Sequence, residues 1–339
     1  MPAKLKDIIN CLNKYYDVKT QEDWDNSGLA CGESDQNISN IILCLDVTDE
    51  IIDNAINTNS ELIISHHPVL FSPIYSLTGR GYKENLLIKA IKNNIAIYCL
   101  HTPVDKAKNG INYANAEKLE LKNIFPVVSA DNFLYRIQFI CRYDKTDVIS
   151  EVLKRFGCVD VFTFTDTSGR FVVNAGITKT NLDLCENTIK DDLGAETVNI
   201  YKTVNLGADL CNFVIGEVEE ISASDFIQKI KNAFALKHIS AGGYMKVSIK
   251  KIAVCGGAGK SFINDAISYG CDAYVTGDLS HHDYQKAYEN KIMLIDATHY
   301  ASEKVFLEII KNTLVYEKIG FNDNNIKYFD QQNYFSKIM

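Results

Sequence analysis

The order of apolar and polar positions predicts a chain that alternates between helices and strands. Apolar residues that recur three and four positions apart predict amphipathic helices, whereas short continuous runs of Ile, Val and Leu predict strands buried on both faces. In the first third of the chain these strands are IILCLDV, ELIIS and IAIYCL. After residue 250 the alternation returns, with the strands KKIAVC, CDAYVTG and IMLID. The pattern predicts an α/β fold whose core consists of two similar α/β halves.

A different order of elements occupies the middle of the chain. Between about residues 132 and 206 the pattern reads β-α-β-β-α-β, the order of a ferredoxin-like α+β domain. The chain has 339 residues, more than the ~250 at which single hydrophobic cores stop growing. We therefore predict a discontinuous core of residues 1–131 and 207–339, with a ferredoxin-like domain inserted at residues 132–206.

Histidines gather where the predicted strands end. Six of the seven histidines occupy such positions: His66, His67, His101, His281, His282 and His299. Ligand sites of α/β sheets lie at the carboxyl ends of strands, and neutral imidazole is the commonest ligand of transition metals. One such histidine alone would be interpreted as a loop or core residue, but the set predicts a metal site.

The spacing of neighbouring carboxylates indicates how these side chains converge. His299 and Glu303 are four residues apart, so they share one face of a helix that begins near residue 299. His101 and Asp105 have the same spacing. Pro103 lies between them and leaves open whether that segment is a loop or a first helical turn.

The adjacent pair His66 and His67 predicts two metal ions instead of one. Successive side chains of an extended strand point in opposite directions, so the two rings cannot both face one ion. Carboxylates add negative charge and can bridge two ions. Pro68 follows the pair and ends the hydrogen-bonding ladder of the strand.

Composition excludes several classes of protein. Hydrophobic residues make up 46% of the chain and charged residues 23%, as in ordinary globular proteins. A net charge of −8 argues against an extended nucleic-acid surface or an anionic membrane as partner. No run approaches the ~18 apolar residues of a transmembrane helix, and the N-terminus lacks the apolar segment of a signal peptide. The ten cysteines form no CxxC pair, so we expect a cytoplasmic protein with reduced thiols.

Several motifs, in this order along the chain, resemble one known family. They are WDNSGLACG, SHHP, HTPVDKAKNGIN, GEVEE, AVCGGAG, GDLSHHD and THYASE. The set is similar to the GTP cyclohydrolase 1 type 2 homologue family, also called Nif-three-like, whose members are ring-shaped proteins with two metal ions. The resemblance covers the core on both sides of the insertion, and some members carry a ferredoxin-like domain at this place.

The resemblance implies the ligands, the cofactor and the partners. The implied metal ligands are His66, His67, Asp105, His299 and Glu303. His67 and Asp105 would hold one ion, His66 and His299 the other, and Glu303 would bridge both. The cofactor would be two divalent ions per chain, Zn, Fe or Mn, which His and carboxylate ligands do not distinguish. The chain would assemble with itself as a homo-oligomer, a hexameric ring, and act on a small-molecule or nucleotide substrate.

This sequence departs from the family pattern beside the ligands and carries further polar residues there. Thr298 stands where the family usually has Gly, and HTPVD replaces the commoner HTNLD. Four residues are candidates either for positioning the ligands and transferring protons, or for capping a helix and lining the cleft: His101, Asp278, His281 and His282. Trp24, with Asn26, is expected to fix the entry of the chain into the core.

The glycine-rich stretch AVCGGAGKS requires a separate test, since GKS after such a turn is typical of nucleotide-phosphate loops. That motif needs a glycine six positions before the lysine, where this chain has Val254. A P-loop nucleoside triphosphatase is therefore excluded. A strand followed by a glycine turn and a helix can still bind an anion, and Lys260 is a candidate phosphate contact there.

Two functions of different classes agree with these observations. The first is a dinuclear metal-dependent hydrolase, for which the resemblance implies a GTP cyclohydrolase-type reaction, from GTP to formate and dihydroneopterin triphosphate. The second is a non-catalytic metal-binding regulatory or scaffold protein, because an intact metal site does not supply a reaction. An open coordination position beside a base would favour the enzyme, and a closed site would favour the scaffold.

Overall fold

The structure, a computed structural model, describes residues 2–128, 134–141, 146–156, 158–193, 195, 197–202 and 210–329. The chain divides into two compact units. We call Met1–Val127 together with Leu210–Met339 the core unit, and Val128–Asp209 the middle unit.

Strands and helices alternate through both units. In chain order the strands are β1 (Ala3–Lys4), β2 (Gly28–Cys31), β3 (Asn37–Ile38), β4 (Ile41–Cys44), β5 (Leu62–Ser65), β6 (Ala96–Cys99), β7 (Lys122–Val127), β8 (Leu134–Cys141), β9 (Val159–Thr165), β10 (Phe171–Thr178), β11 (Thr197–Lys202), β12 (Phe213–Ser222), β13 (Ser240–Gly243), β14 (Ser248–Val254), β15 (Ala273–Thr276), β16 (Met293–Asp296) and β17 (Ile326–Tyr328). The helices are α1 (Leu5–Asn13), α2 (Asp49–Asn57), α3 (Tyr82–Lys92), α4 (Thr102–Lys106), α5 (Ile111–Lys118), α6 (Thr146–Arg155), α7 (Lys179–Asp192), α8 (Ala223–Ala233), α9 (Ile263–Ser268), α10 (His281–Glu289), α11 (His299–Glu303) and α12 (Val305–Tyr316).

The first sheet of the core unit has the strand order β17-β4-β5-β6-β2. Strands β17, β4, β5 and β6 are parallel, and β2 pairs antiparallel with β6. Helices α1 and α12 contribute apolar side chains to the cluster on one face, and α2 and α3 to the cluster on the other. Because both faces are covered, every residue of β4, β5 and β6 is buried, which explains their continuous apolar runs.

The second sheet of the core unit has the strand order β13-β16-β15-β14-β12-β7. Its central strands β14, β15 and β16 are parallel, while β13, β12 and β7 pair antiparallel with their neighbours. Helices α5 and α8 pack on one face, and α9 and α10 on the other. The first core sheet thus contains four parallel strands and the second contains three, and the carboxyl ends of parallel strands lie at one edge, the position at which α/β sheets bind ligands.

The middle unit is a four-stranded antiparallel sheet with the order β11-β8-β10-β9. Alternate residues of β8 and β10 are buried against apolar side chains of α6 and α7. This alternation explains why polar residues such as Arg136, Gln138 and Asn174 lie between buried positions, unlike in the central strands of the core unit.

These sheets and helices confirm the mixed α/β class that the sequence predicts. Within the described residues, every helix is too short or too polar to cross a membrane.

The Trp24 side chain, which was expected with Asn26 to fix the entry of the chain into the core, is not itself buried. It is 62% exposed to solvent. The neighbouring Asp25 anchors this segment instead, since its carboxylate accepts hydrogen bonds from the backbone N–H and the hydroxyl of Thr102. Two hydrogen bonds accepted by one buried carboxylate can hold a chain segment while the adjacent aromatic ring stays exposed.

Candidate metal centre

Strand ends from both core sheets meet at one cluster of histidines and carboxylates. From the first sheet come His66 and His67, directly after β5, and the segment that follows β6. From the second sheet comes α11, which follows β16. The side chains that these elements bring together are His66, His67, His101, Asp105, His299 and Glu303.

The Glu303 carboxylate lies in the middle of this cluster. Its Oε1 is 3.0 Å from His299 Nε2 and 3.7 Å from His66 Nε2, and its Oε2 is 3.1 Å from His67 Nε2. The Glu303 side chain is only 5% exposed, so its charge is almost fully removed from water. A carboxylate that approaches three imidazoles with both oxygens has the arrangement of a bridging ligand.

Two further contacts join members of the cluster in pairs. His66 Nε2 is 3.7 Å from Asp105 Oδ1, and His67 Nε2 is 3.3 Å from His299 Nε2. This grouping differs from the one that the resemblance implies, in which His67 accompanies Asp105. One ring nitrogen of His101 faces the same space, within 4.8 Å of one ring nitrogen each of His66 and His67. Because His101 Nδ1 lies beside Asp25, we assign this nitrogen as Nε2.

Each of the four clustered histidines has its Nδ1 atom beside an acceptor, which turns Nε2 toward the centre. The Nδ1 partners are Leu100 O for His66 (3.1 Å), Asp46 for His67 (2.9 Å), Asp25 for His101 (2.9 Å) and Asp278 for His299 (2.8 Å). A hydrogen bond from Nδ1–H leaves the Nε2 lone pair free, and metal-binding histidines are oriented in this way. Three carboxylates outside the cluster therefore fix the rings of three of its histidines.

Several polar atoms of the cluster are buried without a hydrogen bond. They are His66 Nε2, Asp105 Oδ1 and Glu303 Oε2. Glu303 Oε2 is close to His67 Nε2 but does not complete a hydrogen bond with it. Buried polar atoms in native proteins are nearly always bonded, and leaving one unpaired costs about 1–3 kcal/mol. Unpaired imidazole and carboxylate atoms that face one another fit a divalent ion, which would bond all of them.

The carboxylates also set the protonation of the histidines. Burial lowers the pKa of His67, but Asp46 and Glu303 outweigh this effect and raise it to about 10. Burial likewise lowers the pKa of His299, and Glu303 and Asp278 raise it to about 9. The Nε2 atoms of His67 and His299 are 3.3 Å apart, so a proton on one opposes a proton on the other. At pH 7 the metal-free pair therefore holds at least one proton.

Metal binding is expected to release protons and to weaken as the pH falls. A metal ion needs the neutral imidazole, so it must displace the protons whose pKa the carboxylates raise to about 9 and about 10. For each proton displaced, the dissociation constant of the metal should increase about tenfold for every unit by which the pH falls below about 9. Isothermal titration of Zn²⁺ or Mn²⁺ in two buffers with different ionisation enthalpies would count these protons. A pH-independent affinity between about pH 6 and pH 8 would show that the metal-free histidines carry no proton to displace, contrary to this expectation.

Short helices position the ligands that come from strand ends. Helix α11 begins at His299, as predicted, and places His299 and Glu303 on the same face. Helix α4 begins at Thr102, so the segment with Pro103 is a first helical turn, and Asp105 lies on it. Both alternatives for that segment were open from the sequence, and the structure selects the helical one.

Thr298 introduces local strain directly before α11. Its φ angle is +63°, in the left-handed region that a β-branched residue rarely adopts. Such a conformation costs of order 1–3 kcal/mol and persists where the surroundings hold it. Here the Thr298 hydroxyl accepts a hydrogen bond from Ala301 N–H, and Asp296 accepts one from Thr298 N–H. Threonine thus supplies a helix cap at a place where the resembling family usually has glycine.

The glycine turn after β14 lies against the bridging carboxylate. Gly257 has φ of +61°, and a Cβ atom there would collide with the Glu303 carboxylate. Its backbone N–H donates to the hydroxyl of Ser302, one residue before Glu303. The turn that resembles a phosphate loop therefore has a structural role in this chain, because it lets backbone approach Glu303 closely.

Four of the predicted residues lie outside the cluster, and one of them, Asp278, holds the ring of His299. His281 and His282 are exposed at the start of α10, where their rings contact each other. Lys260 is exposed in the 3-10 turn Lys260–Phe262, and its charge helps to lower the pKa of Asp283.

Sequence reasoning missed the partners Asp25 and Asp46. Asp46 follows β4, so it obeys the same strand-end rule that identified the histidines, and that signal was available. Asp25 follows no strand, and its contact with His101 spans 76 residues of sequence. Nothing in the local pattern around Asp25 indicated this partner.

Curated relatives and solved structures resemble the chain over nearly its full length. Among the relatives are two proteins named GTP cyclohydrolase 1 type 2 homolog. One from Staphylococcus aureus is 29% identical, and the alignment covers 92% of this chain and 93% of the relative. One from Staphylococcus epidermidis is 27% identical with the same coverage.

The fold comparison gives the same result. A Staphylococcus aureus crystal structure matches with a TM-score of 0.72 and 28% identity, covering 99% of both chains. A Bacillus cereus protein described as related to NIF3 matches with a TM-score of 0.72 and 24% identity over 100% of both chains, which shows the shared fold. The sequence model of the Duf34/NIF3 (NGG1p interacting factor 3) family matches residues 3–332. The resemblance seen in the motifs is thereby confirmed, and the chain belongs to the Duf34/NIF3 family.

Proposed function

We propose that the chain is a hydrolase that depends on two divalent metal ions, held by His66, His67, Asp105, His299 and Glu303. The observation that carries this proposal is the set of buried imidazole and carboxylate atoms that face one another without hydrogen bonds. When bound, divalent ions act as Lewis acids that polarise the bond under attack and activate water at neutral pH. Zn, Fe and Mn all suit these ligands.

The side chains around the ligands have complementary tasks. The Glu303 carboxylate spans the cluster, and Asp46 and Asp278 hold the rings of His67 and His299. Histidines fixed in this way do not have to reorganise when metal binds, which increases affinity.

His101 is the proposed proton-transfer residue. Its Nε2 atom faces the cluster while its Nδ1 is held by Asp25. Burial raises the pKa of Asp25, but the hydrogen bonds from His101 and Thr102 outweigh this effect and lower it well below the usual range. Asp25 therefore stays ionised and can stabilise an imidazolium at position 101, as the carboxylate of a catalytic triad does. His282 is exposed at the start of α10, and this position does not support a role in proton transfer.

The proposed reaction is the conversion of GTP to formate and dihydroneopterin triphosphate, with net consumption of water. This substrate rests on the names of the relatives, because no described residue demonstrates guanine recognition. Lys260 is the proposed contact for the phosphates. Its exposed side chain at the start of a 3-10 turn is free to reach an anion.

Formate release from GTP tests this proposal. Protein reconstituted with Zn²⁺, Mn²⁺ or Fe²⁺ should release formate. The variant His101→Gln should release it about 10²–10⁴-fold more slowly, because a proton-transfer group usually contributes that much to the rate, and its metal content should stay unchanged. Lys260→Ala should raise KM for GTP without changing metal content. Two bound ions without turnover of GTP, phosphoesters or amides would overturn the hydrolase and favour the scaffold.

The remaining proposals concern the domain arrangement, the assembly and the location of the chain. We propose that a ferredoxin-like domain of residues 132–206 is inserted into a core of two similar halves, 1–131 and 207–339. The strand order of the middle unit and the parallel central strands in each core sheet support this arrangement. We also propose a homo-oligomer, a hexameric ring by resemblance, and a cytoplasmic location, which the ten free cysteines favour.

A further inference from the structure

Two exposed aromatic rings lie against the same histidine of the metal cluster. Trp24 is 62% exposed and Phe71 is 52% exposed. Their ring centroids are 5.6 Å and 5.7 Å from the ring of His101, at interplanar angles of 75° and 81°. The His101 ring is in turn 5.1 Å from the ring of His66. An open aromatic surface thus begins where the cluster of candidate ligands ends.

The residues beside these two rings hold them in place. Asn26 donates a side-chain hydrogen bond of 2.7 Å to the carbonyl of Leu70, which ties the segment of Trp24 to the segment of Phe71. Asp25 bonds both His101 and Thr102, so the same segment is also fixed to the start of α4. Rings that are already positioned lose little conformational freedom when a ligand binds.

The exposure of these rings has no explanation in the stability of the fold. Burying an aromatic side chain stabilises a fold, and both residues largely forgo that contribution. Large aromatic side chains exposed beside a polar cleft are typical of ligand sites, where apolar surface surrounds a few oriented polar groups. The faces of aromatic rings bind other flat π systems, and the bases of nucleic acids stack on them whatever their sequence.

We propose that Trp24 and Phe71 form a subsite that binds a planar heteroaromatic ring and delivers it to the metal cluster beside His101. The substrate class is then a heteroaromatic compound such as a purine, and not a simple phosphoester or peptide. This inference rests on the proposed function, because it assigns the two rings to the substrate of the same site. It makes Trp24 and Phe71 positioning and specificity residues.

Intrinsic fluorescence tests the subsite directly, because Trp24 is the only tryptophan of the chain. Metal-loaded protein is titrated with guanosine, with GTP and with tripolyphosphate, which carries the charge of GTP without its ring. Guanosine and GTP should quench Trp24 with a saturable curve, and tripolyphosphate should not. Phe71→Ala should weaken guanosine binding about fivefold to a hundredfold, the range found when one base-stacking ring is removed. Phe71→Tyr should restore most of the affinity.

The matched control is Tyr75→Ala. Tyr75 is 99% exposed, and none of the ring contacts in the described part of the chain connects it with His101, so this variant should bind guanosine like the parent. Equal quenching by tripolyphosphate, or guanosine affinity in Phe71→Ala within twofold of the parent, would overturn the subsite. Either result says nothing against the metal centre, so the proposed hydrolase would stand. A protein that binds guanosine at Trp24 but holds no metal would contradict the hydrolase and leave the subsite intact.

Discussion

Glu303→Ala should lose most of its bound metal, and both ions together. Among the residues that the structure describes, the Glu303 carboxylate is the one group that approaches the Nε2 atoms of His66, His67 and His299, so its removal affects every part of the cluster. Removing an outer partner of a metal ligand typically costs 10–100-fold in affinity, and the loss of a bridging ligand should exceed about 100-fold. Metal content by mass spectrometry after gel filtration would measure the effect.

A second glutamate supplies the control for that variant. Glu308 lies in the first turn of the next helix, α12, with an exposed side chain, so Glu308→Ala should keep full metal content. Retention of two ions per chain in Glu303→Ala would show that Glu303 is not a bridging ligand.

Gly257→Ala should also lose metal, although residue 257 offers no ligand atom. A Cβ atom at this position collides with the Glu303 carboxylate, which is held among buried neighbours and cannot move without leaving the histidines. The substitution carries a second cost of about 1–2 kcal/mol, because alanine must adopt the left-handed φ of +61°. We expect loss of metal together with a modest decrease in the free energy of unfolding.

Gly270→Ala separates these two effects. Gly270 has a similar φ of +66°, but no atom lies within 4 Å of its would-be Cβ. It should show the same decrease in stability, measured by urea denaturation, with metal content unchanged. Equal metal content in both variants would mean that Glu303 tolerates displacement, and the close approach of the glycine turn would then have no functional role.

Hydrophobic periodicity predicted the part of the fold that is buried on two faces. The strands β4, β5 and β6 read as continuous apolar runs because helices cover both of their faces. Among the strands that were not predicted, β2, β7, β13 and β17 lie at sheet edges, whereas β12 lies in the interior of the second sheet. These edge strands are short or contain glycine, as in Gly28–Cys31 and Ser240–Gly243, so the buried-strand signal is absent.

The candidate site was predictable to the extent that it follows strand ends. His66, His67, His101 and His299 were found because parallel strands bring their carboxyl ends to one edge, wherever they lie in the sequence. The same rule included His281 and His282, which the structure leaves exposed at the start of α10. A strand end places the backbone, but the following turn decides where the side chains point.

Contacts between distant segments could not be predicted. The pair of Asp25 with His101 and the approach of Gly257 to Glu303 each depend on tertiary packing, for which one sequence carries no local signal. Trp24 was expected, with Asn26, to fix the entry of the chain into the core and not to touch a substrate. Its exposure beside His101 also depends on tertiary packing, and it is the observation on which the proposed subsite rests.

Metal content per chain, measured on protein purified without added metal and without an affinity tag, tests the central claim most directly. The parent should hold about two divalent ions, or take them up after reconstitution with Zn²⁺, Mn²⁺ or Fe²⁺, because two adjacent histidines and a bridging carboxylate fit two ions. The double variant His66→Ala, His67→Ala should lose nearly all of this metal. A parent and a double variant that stay equally metal-free after reconstitution would contradict the metal centre, and with it the proposed hydrolase.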